Sequence, residues 1–212
     1  MLQRNESRVR LICRALAAPA AAVIALLISI SALGDYPKPA PVPFRWELEF
    51  EPGPLRLYQE ANGGGAYWYF TYTVTNRTGA DQLWAPKFVL FTDAGEIIES
   101  GRNVPTKITE DVLAMLGNDL LEDQNEAIGD IMQGRENAKE GLVIWPANRL
   151  DVNEISMFVA GISGETARVK NPVDGSEIIL RKTLQRDYLI PGNATDRRSK
   201  PIELVQQTWV LR

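Results

Sequence analysis

The sequence predicts a mainly β fold, an antiparallel sandwich with a helical insertion around residues 105–139. Three observations predict it: short runs in which apolar and polar side chains alternate, Gly, Asn and Pro punctuation between the runs, and a single stretch with helical period. An N-terminal apolar segment, residues 1–34, precedes the folded part.

That first segment reads as an address. Arg4, Arg8, Arg10 and Arg14 form a basic stretch, Ala15 to Gly34 carries no charge, and Asp35 follows. Val23, Ile24, Leu26, Leu27 and Ile28 make its apolar centre, and Ala32-Leu33-Gly34 supplies small residues for cleavage after Gly34, the layout of a secretory signal peptide. The competing reading is an uncleaved anchor, since twenty residues of helix span roughly 30 Å, one hydrocarbon core. Pro19 and the alanine-rich first half argue for cleavage. Both readings leave the arginines inside and the domain outside, in the periplasm or cell envelope. Asp35–Pro43 then holds four prolines in nine residues and reads as a semi-rigid polyproline II spacer.

The strands follow in order. In Phe44–Phe50, Phe44, Trp46, Leu48 and Phe50 alternate with Arg45, Glu47 and Glu49. Leu55–Tyr58 is a short run, and Asn62-Gly-Gly-Gly65 is turn chemistry. Tyr67–Thr75 alternates again, with Trp68, Phe70, Tyr72 and Val74 on the core face and Tyr67, Tyr69, Thr71, Thr73 and Thr75 on a face expected to be exposed. Further strands are expected at Lys87–Thr92, Glu96–Glu99, Leu142–Trp145, Glu154–Ala160, Thr166–Lys170, a bent Glu177–Leu189 and Glu203–Leu211.

Between Pro105 and Lys139 the period changes. A short helix is expected at Thr109–Leu116, then a longer one from Asp119. On that second helix Asp119, Glu122, Asp123, Glu126 and Asp130 share one face, opposite Leu120, Leu121, Ala127, Ile128, Ile131 and Met132. Amphipathicity alone accounts for such an acidic face.

Composition excludes several chemistries. The chain has no histidine, and its one cysteine, Cys13, lies in the N-terminal segment. Ser-His-Asp and Cys-His nucleophile systems and histidine-rich metal sites are therefore out of reach, and no disulfide staples the domain. No phosphate-cradling loop or EF-hand loop appears. Gly161-Ile-Ser-Gly-Glu165 approaches a nucleophile elbow, but Glu165 replaces the last glycine and no base is present, so a turn is expected. Four of the 23 basic residues and one of the 27 acidic ones precede residue 35, leaving the remainder at −7, a charge that disfavours nucleic acid. No cofactor or metal is expected.

Tyr67-Trp-Tyr-Phe-Thr-Tyr-Thr-Val-Thr-Asn-Arg-Thr-Gly79, Phe88-Val-Leu-Phe-Thr-Asp-Ala-Gly95, and Arg181-Lys-Thr-Leu-Gln-Arg-Asp-Tyr188 followed by Pro191-Gly192 together resemble uncharacterised exported bacterial proteins. The likeness spans most of 44–212. It implies an immunoglobulin-like sandwich and supplies no activity and no catalytic residues. The expectation is thus a non-enzymatic envelope module that binds another protein or itself. Tyr67, Tyr69 and the carboxylates Asp119, Glu122, Asp123, Glu126 and Asp130 are its candidate interaction surface. A glycan-binding module is the alternative, with a carboxylate-dependent hydrolase behind it.

Overall fold

A computed structural model describes residues 36–197 and 199–212; the signal or anchor reading of residues 1–34 lies outside the described residues. The chain divides into Met1–Pro37 and Lys38–Arg212, and the fold described below is that of the second unit. Among the described residues, no helix is long and apolar enough to cross a membrane.

The domain is mainly β. One sheet takes β1 (Glu49–Gln59), β2 (Ala66–Asn76), β8 (Gly134–Pro146) and β6 (Leu121–Asp123), in the order β1-β2-β8-β6. The other has the path β10-β11-β9-β4-β5, with β12 (Glu203–Leu211) also paired to β11 (Glu177–Leu189). Its remaining strands are β4 (Lys87–Thr92), β5 (Ile97–Glu99), β9 (Glu154–Ala160) and β10 (Thr166–Lys170). A two-stranded ribbon joins β3 (Gln82–Trp84) to β7 (Gly129–Ile131). Pairing is antiparallel except between β6 and β8.

One apolar core joins the inner faces of both sheets. Trp68, Phe70, Tyr72 and Val74 of β2 meet Phe88 and Leu90 of β4, Met157 and Val159 of β9, and Leu184 and Tyr188 of β11. The alternation read from Tyr67–Thr75 therefore sets the inner face as expected. At the centre Tyr72 stacks on Phe50 with centroids 5.3 Å apart, and lies 5.2 Å from Phe88 and 5.6 Å from Trp84. Offset and tilted pairs of this kind each add about 0.5–1.5 kcal/mol beyond area burial.

The N-terminal strand differs from expectation in its limits. Phe44–Phe50 and Leu55–Tyr58 read as two strands, whereas β1 runs unbroken in sequence from Glu49 to Gln59 with a bulge between Pro52 and Leu55. Trp46–Leu48 leave that sheet altogether. They bond the turn between β9 and β10 instead, through Leu48 N–H to Ile162 O at 2.9 Å and Gly164 N–H to Trp46 O at 3.0 Å.

The helical insertion is only partly helical. Thr106–Leu116 forms α1, close to the expected Thr109–Leu116, and stops at Gly117, whose φ of 61° ends the helix in the left-handed region. The helix expected from Asp119 does not form: the segment holds β6, a turn and β7. Local side chains take the backbone donors a helix would need. Asn118 Oδ1 accepts from Leu120 N–H at 3.0 Å, and Asp123 Oδ1 from Asn125 N–H at 2.6 Å and Glu126 N–H at 3.2 Å. Gly129, at φ 147°, adopts a conformation that a helix excludes.

Candidate functional site

The two candidate tyrosines are not a surface. Tyr67 and Tyr69 are 9% and 2% exposed. They lie on the outer face of the β1-β2-β8 sheet, as the alternation requires, but α1 covers that face. Ile108 and Val112 of α1 pack with Tyr67, Tyr69, Leu142 and Ile144 into a second apolar cluster, flanked by Leu113, Leu116 and Leu121. The exposed face expected from β2 is thus a core between sheet and helix. Beside it Lys107 and Asp111 form an i,i+4 ion pair on α1. The Tyr58 hydroxyl is raised above its ordinary pKa, by burial first and by the Asp111 carboxylate next.

The acidic row is dispersed. Asp119 lies in a turn and Glu122 in β6, where Lys139 Nζ approaches it to 3.6 Å. Asp123 caps the following turn, Glu126 accepts weakly from Asp123 N–H at 3.4 Å, and Asp130 stands in β7. Among the described residues no three acidic, histidine or cysteine side chains come together as a metal site.

What the structure does assemble is a buried ion cluster that was not anticipated. Gly161–Glu165 is the expected turn, joining β9, which pairs with Thr183–Leu189, to β10, which pairs with Glu177–Arg181. The break turns Glu165 inward, 4% exposed, onto Lys182, 2% exposed. Lys182 Nζ lies 2.9 Å from Glu47 Oε2, 3.4 Å from Glu165 Oε2 and 3.4 Å from Ala40 O, and 4.9 Å from the Trp209 ring centroid. Glu165 divides its oxygens: Oε2 faces the ammonium and Oε1 accepts Ala40 N–H at 2.8 Å. The stretch read as a spacer is therefore bound to the domain at Ala40. Enclosed on all these sides, Lys182 is placed to clamp residues 40–48 rather than to meet a substrate.

A second charged group is buried on the same strand. Arg186 donates from Nε to the Tyr188 hydroxyl at 2.8 Å and from a terminal nitrogen to Gln207 Oε1. Burial raises the Tyr188 hydroxyl above its ordinary pKa, and the neighbouring guanidinium partly offsets this.

Two open depressions mark the surface. One, about 610 Å³, runs along Pro43–Glu49 beside Arg77 and Thr78. The other, about 440 Å³, lies at the C-terminal end of α1, with Glu51 on one flank and Glu140 on the other. Glu140 Oε2 accepts from Asn118 Nδ2 at 2.6 Å. Glu51 is exposed and Glu140 half-buried, so neither is enclosed as a general acid requires.

The described tryptophans are turned to the core rather than to the surface. Trp68, Trp84 and Trp145 are fully buried, and Trp46 and Trp209 pack against the core. The exposed apolar side chains include Leu83, Ile128 and Met132, at 63%, 50% and 56%. In the β3–β7 ribbon Leu83 pairs with Asp130, and Ile128 and Met132 stand two residues to either side of that aspartate. Comparison of the chain with protein-family models, characterised proteins and solved structures gave no match, so the reading of these sites rests on their own chemistry.

Proposed function

We propose that this chain is a non-enzymatic envelope module that binds another protein through the segment 105–139 and the ribbon it completes. The observation that carries the reading is the ribbon surface: Leu83, Ile128 and Met132 exposed around Asp130. Apolar side chains grouped at a surface and rimmed by charge are what a protein interface uses, since burying each recovers about 25 cal/mol per Å². Asp119, Glu126 and Asp130, all exposed, favour a partner with a basic rim. The interaction surface is therefore narrowed from the sequence expectation. Asp130 stays at its centre, while Tyr67 and Tyr69 belong to the interior.

The remaining parts of the reading are consistent with this role. The two sheets over one core support an immunoglobulin-like sandwich, the fold implied by the resemblance. The basic, apolar and small-residue parts of 1–34 support export, by cleavage after Gly34 or by retention as an anchor.

Capture from mildly cross-linked envelope tests the reading. The native chain is expected to bring down one stoichiometric protein partner, and Ile128→Asp/Met132→Asp, if folded, to lose it. Equal recovery by both forms would contradict an interface at the ribbon.

A further inference from the structure

We infer that the loop 41–45 and the arm formed by β10 and the start of β11 dock together on an anionic lipid surface. The inference goes beyond the protein-binding reading and shares with it only the export of the domain. One turn holds both ends of the loop. Ala40 N–H donates to Glu165 Oε1 at 2.8 Å, and Gly164 N–H donates to Trp46 O at 3.0 Å. The arm leaves the same turn at Thr166, so loop and arm stem from the consecutive residues Gly164, Glu165 and Thr166.

Between its two pins the loop faces outward. Pro41, Val42, Pro43, Phe44 and Arg45 are all exposed, Phe44 at 63%. The two prolines fix their own φ, and the buried Lys182, with Glu165 and Glu47 on it, holds the base. Phe44 and Val42 are thus presented on a stiff, fastened loop, where leaving them in water forgoes about 25 cal/mol for each Å² that a partner would cover. The arm repeats this arrangement. Among the described residues β10 pairs with β11 alone, and the arm ends in an exposed turn with Val173 at 90% and with Ile178 and Ile179 exposed behind it.

Charge and chain length name the occupant. Lys38, Arg45, Arg168, Lys170 and Arg181 are exposed on or beside the loop and arm. The acidic side chains there are Asp174 and Glu177, and Glu177 is already paired with Arg168 at 3.1 Å. Residues 35–212 are net acidic, so this is a basic patch on an acidic body. Each Lys or Arg close to an anionic bilayer contributes about 1 kcal/mol of attraction. Apolar tips set among long basic side chains suit a headgroup boundary, which takes the apolar groups while the cations stay at its surface. In sequence, Ala40 follows the uncharged run Ala15–Gly34 by six residues, a length that extends at most about 20 Å. So short a connection confines the pinned loop to the neighbourhood of a bilayer for as long as that run stays in one.

The test uses the full-length chain with Cys13→Ser, reconstituted in vesicles of phosphatidylethanolamine and phosphatidylglycerol with and without a nitroxide-labelled lipid. An environment-sensitive fluorophore is attached in turn at Phe44→Cys, at Val173→Cys and, as a reference, at Val205→Cys. Val205 is exposed at the far end of the β11–β12 pair from Lys182. Melting curves check that each labelled protein is folded. Emission from 44 and 173 is expected to shift to the blue and to be quenched at least about threefold more than emission from 205. Replacing phosphatidylglycerol by phosphatidylcholine, or Arg45→Gln/Lys170→Gln in the anionic vesicles, is expected to weaken docking at least about fivefold, the worth of one basic side chain. Equal quenching at all three positions, as a domain merely tethered through residues 1–34 would give, would overturn the assignment. So would quenching at 44 and 173 that ignores the lipid charge. No other protein is present, so this outcome is separate from that of the capture experiment.

Discussion

Lys182 Nζ lies 2.9 Å from Glu47 Oε2, joining the middle of β11 to the segment that leads into β1. Ala40, Glu47 and Glu165 converge on this single ammonium, so the start of the domain is fastened by charge as well as by backbone pairing. Burying a cation is costly unless it is paired, and breaking such a pair leaves the partners uncompensated.

Lys182→Met is therefore expected to lower stability by about 3–5 kcal/mol, the cost of stranding a buried charge. Urea unfolding measures it. Amide exchange at Ala40 and at Leu48 is expected to accelerate in the same variant, since their partners sit in or beside the cluster. A loss under 1 kcal/mol would show that the segment holds without its clamp.

Tyr69→Ala tests the covered face. The ring lies between sheet and helix at 2% exposure, so removing it is expected to cost about 3–5 kcal/mol, the range for aromatic truncation in a core. Ile108→Ala, on the opposing helix face, is expected to cost about 2–5 kcal/mol. A Tyr69→Ala protein of unchanged stability would return that residue to the surface.

Tyr72 predicts an alkaline limit. Burial pushes its hydroxyl up to about 12, with the hydrogen bond from Trp84 Nε1 at 3.2 Å acting the other way. The folded state then holds a proton that the unfolded chain releases near pH 10. This contribution is intact below pH 10 and falls as pH rises from 10 toward 12, by about 2–3 kcal/mol in all. Tyr72→Phe is expected to flatten that slope while costing about 1 kcal/mol at neutral pH through the lost hydrogen bond. Parallel slopes for the two proteins would refute the assignment.

Gly141→Ala is expected to destabilise by about 1–3 kcal/mol. A Cβ at 141 would stand 2.2 Å from the Tyr72 ring, which lies across the backbone there. Thermal melting of the variant measures this, and an unchanged midpoint would mean that the ring has another place to go.

The sequence made the sheets legible because period-two alternation is a direct image of the pleat. Lys87–Thr92, Glu154–Ala160, Thr166–Lys170, Glu177–Leu189 and Glu203–Leu211 are strands with the limits that the pattern implies. The same signal misled at 119–132, where apolar spacing imitated a helix while Asn118, Asp123 and Gly129 drew the backbone into turns. Tyr67 and Tyr69 were misplaced for a related reason. Alternation distinguishes the two faces of a strand but does not say whether a helix will cover the second one.

The buried cluster had one sequence signal. Lys182 and Arg186 occupy the same alternating positions as Leu180, Leu184 and Tyr188, the face of β11 that turns to the core. A cation in an apolar register implies a buried partner. Which partner was not legible, because Glu47 and Glu165 approach it from distant parts of the chain. The depression at the end of α1 was equally hidden, since Glu51 and Glu140 become neighbours only through β2.

Site-specific photo-cross-linking from position 132 in intact cells decides whether the ribbon is a binding surface. A photoreactive residue replacing Met132 is expected to give one discrete, stoichiometric adduct with a second protein, whereas the same residue at Val173, exposed on the β10–β11 turn, is expected to give none. No adduct from 132, or the same adduct from both positions, would contradict a binding surface at the ribbon.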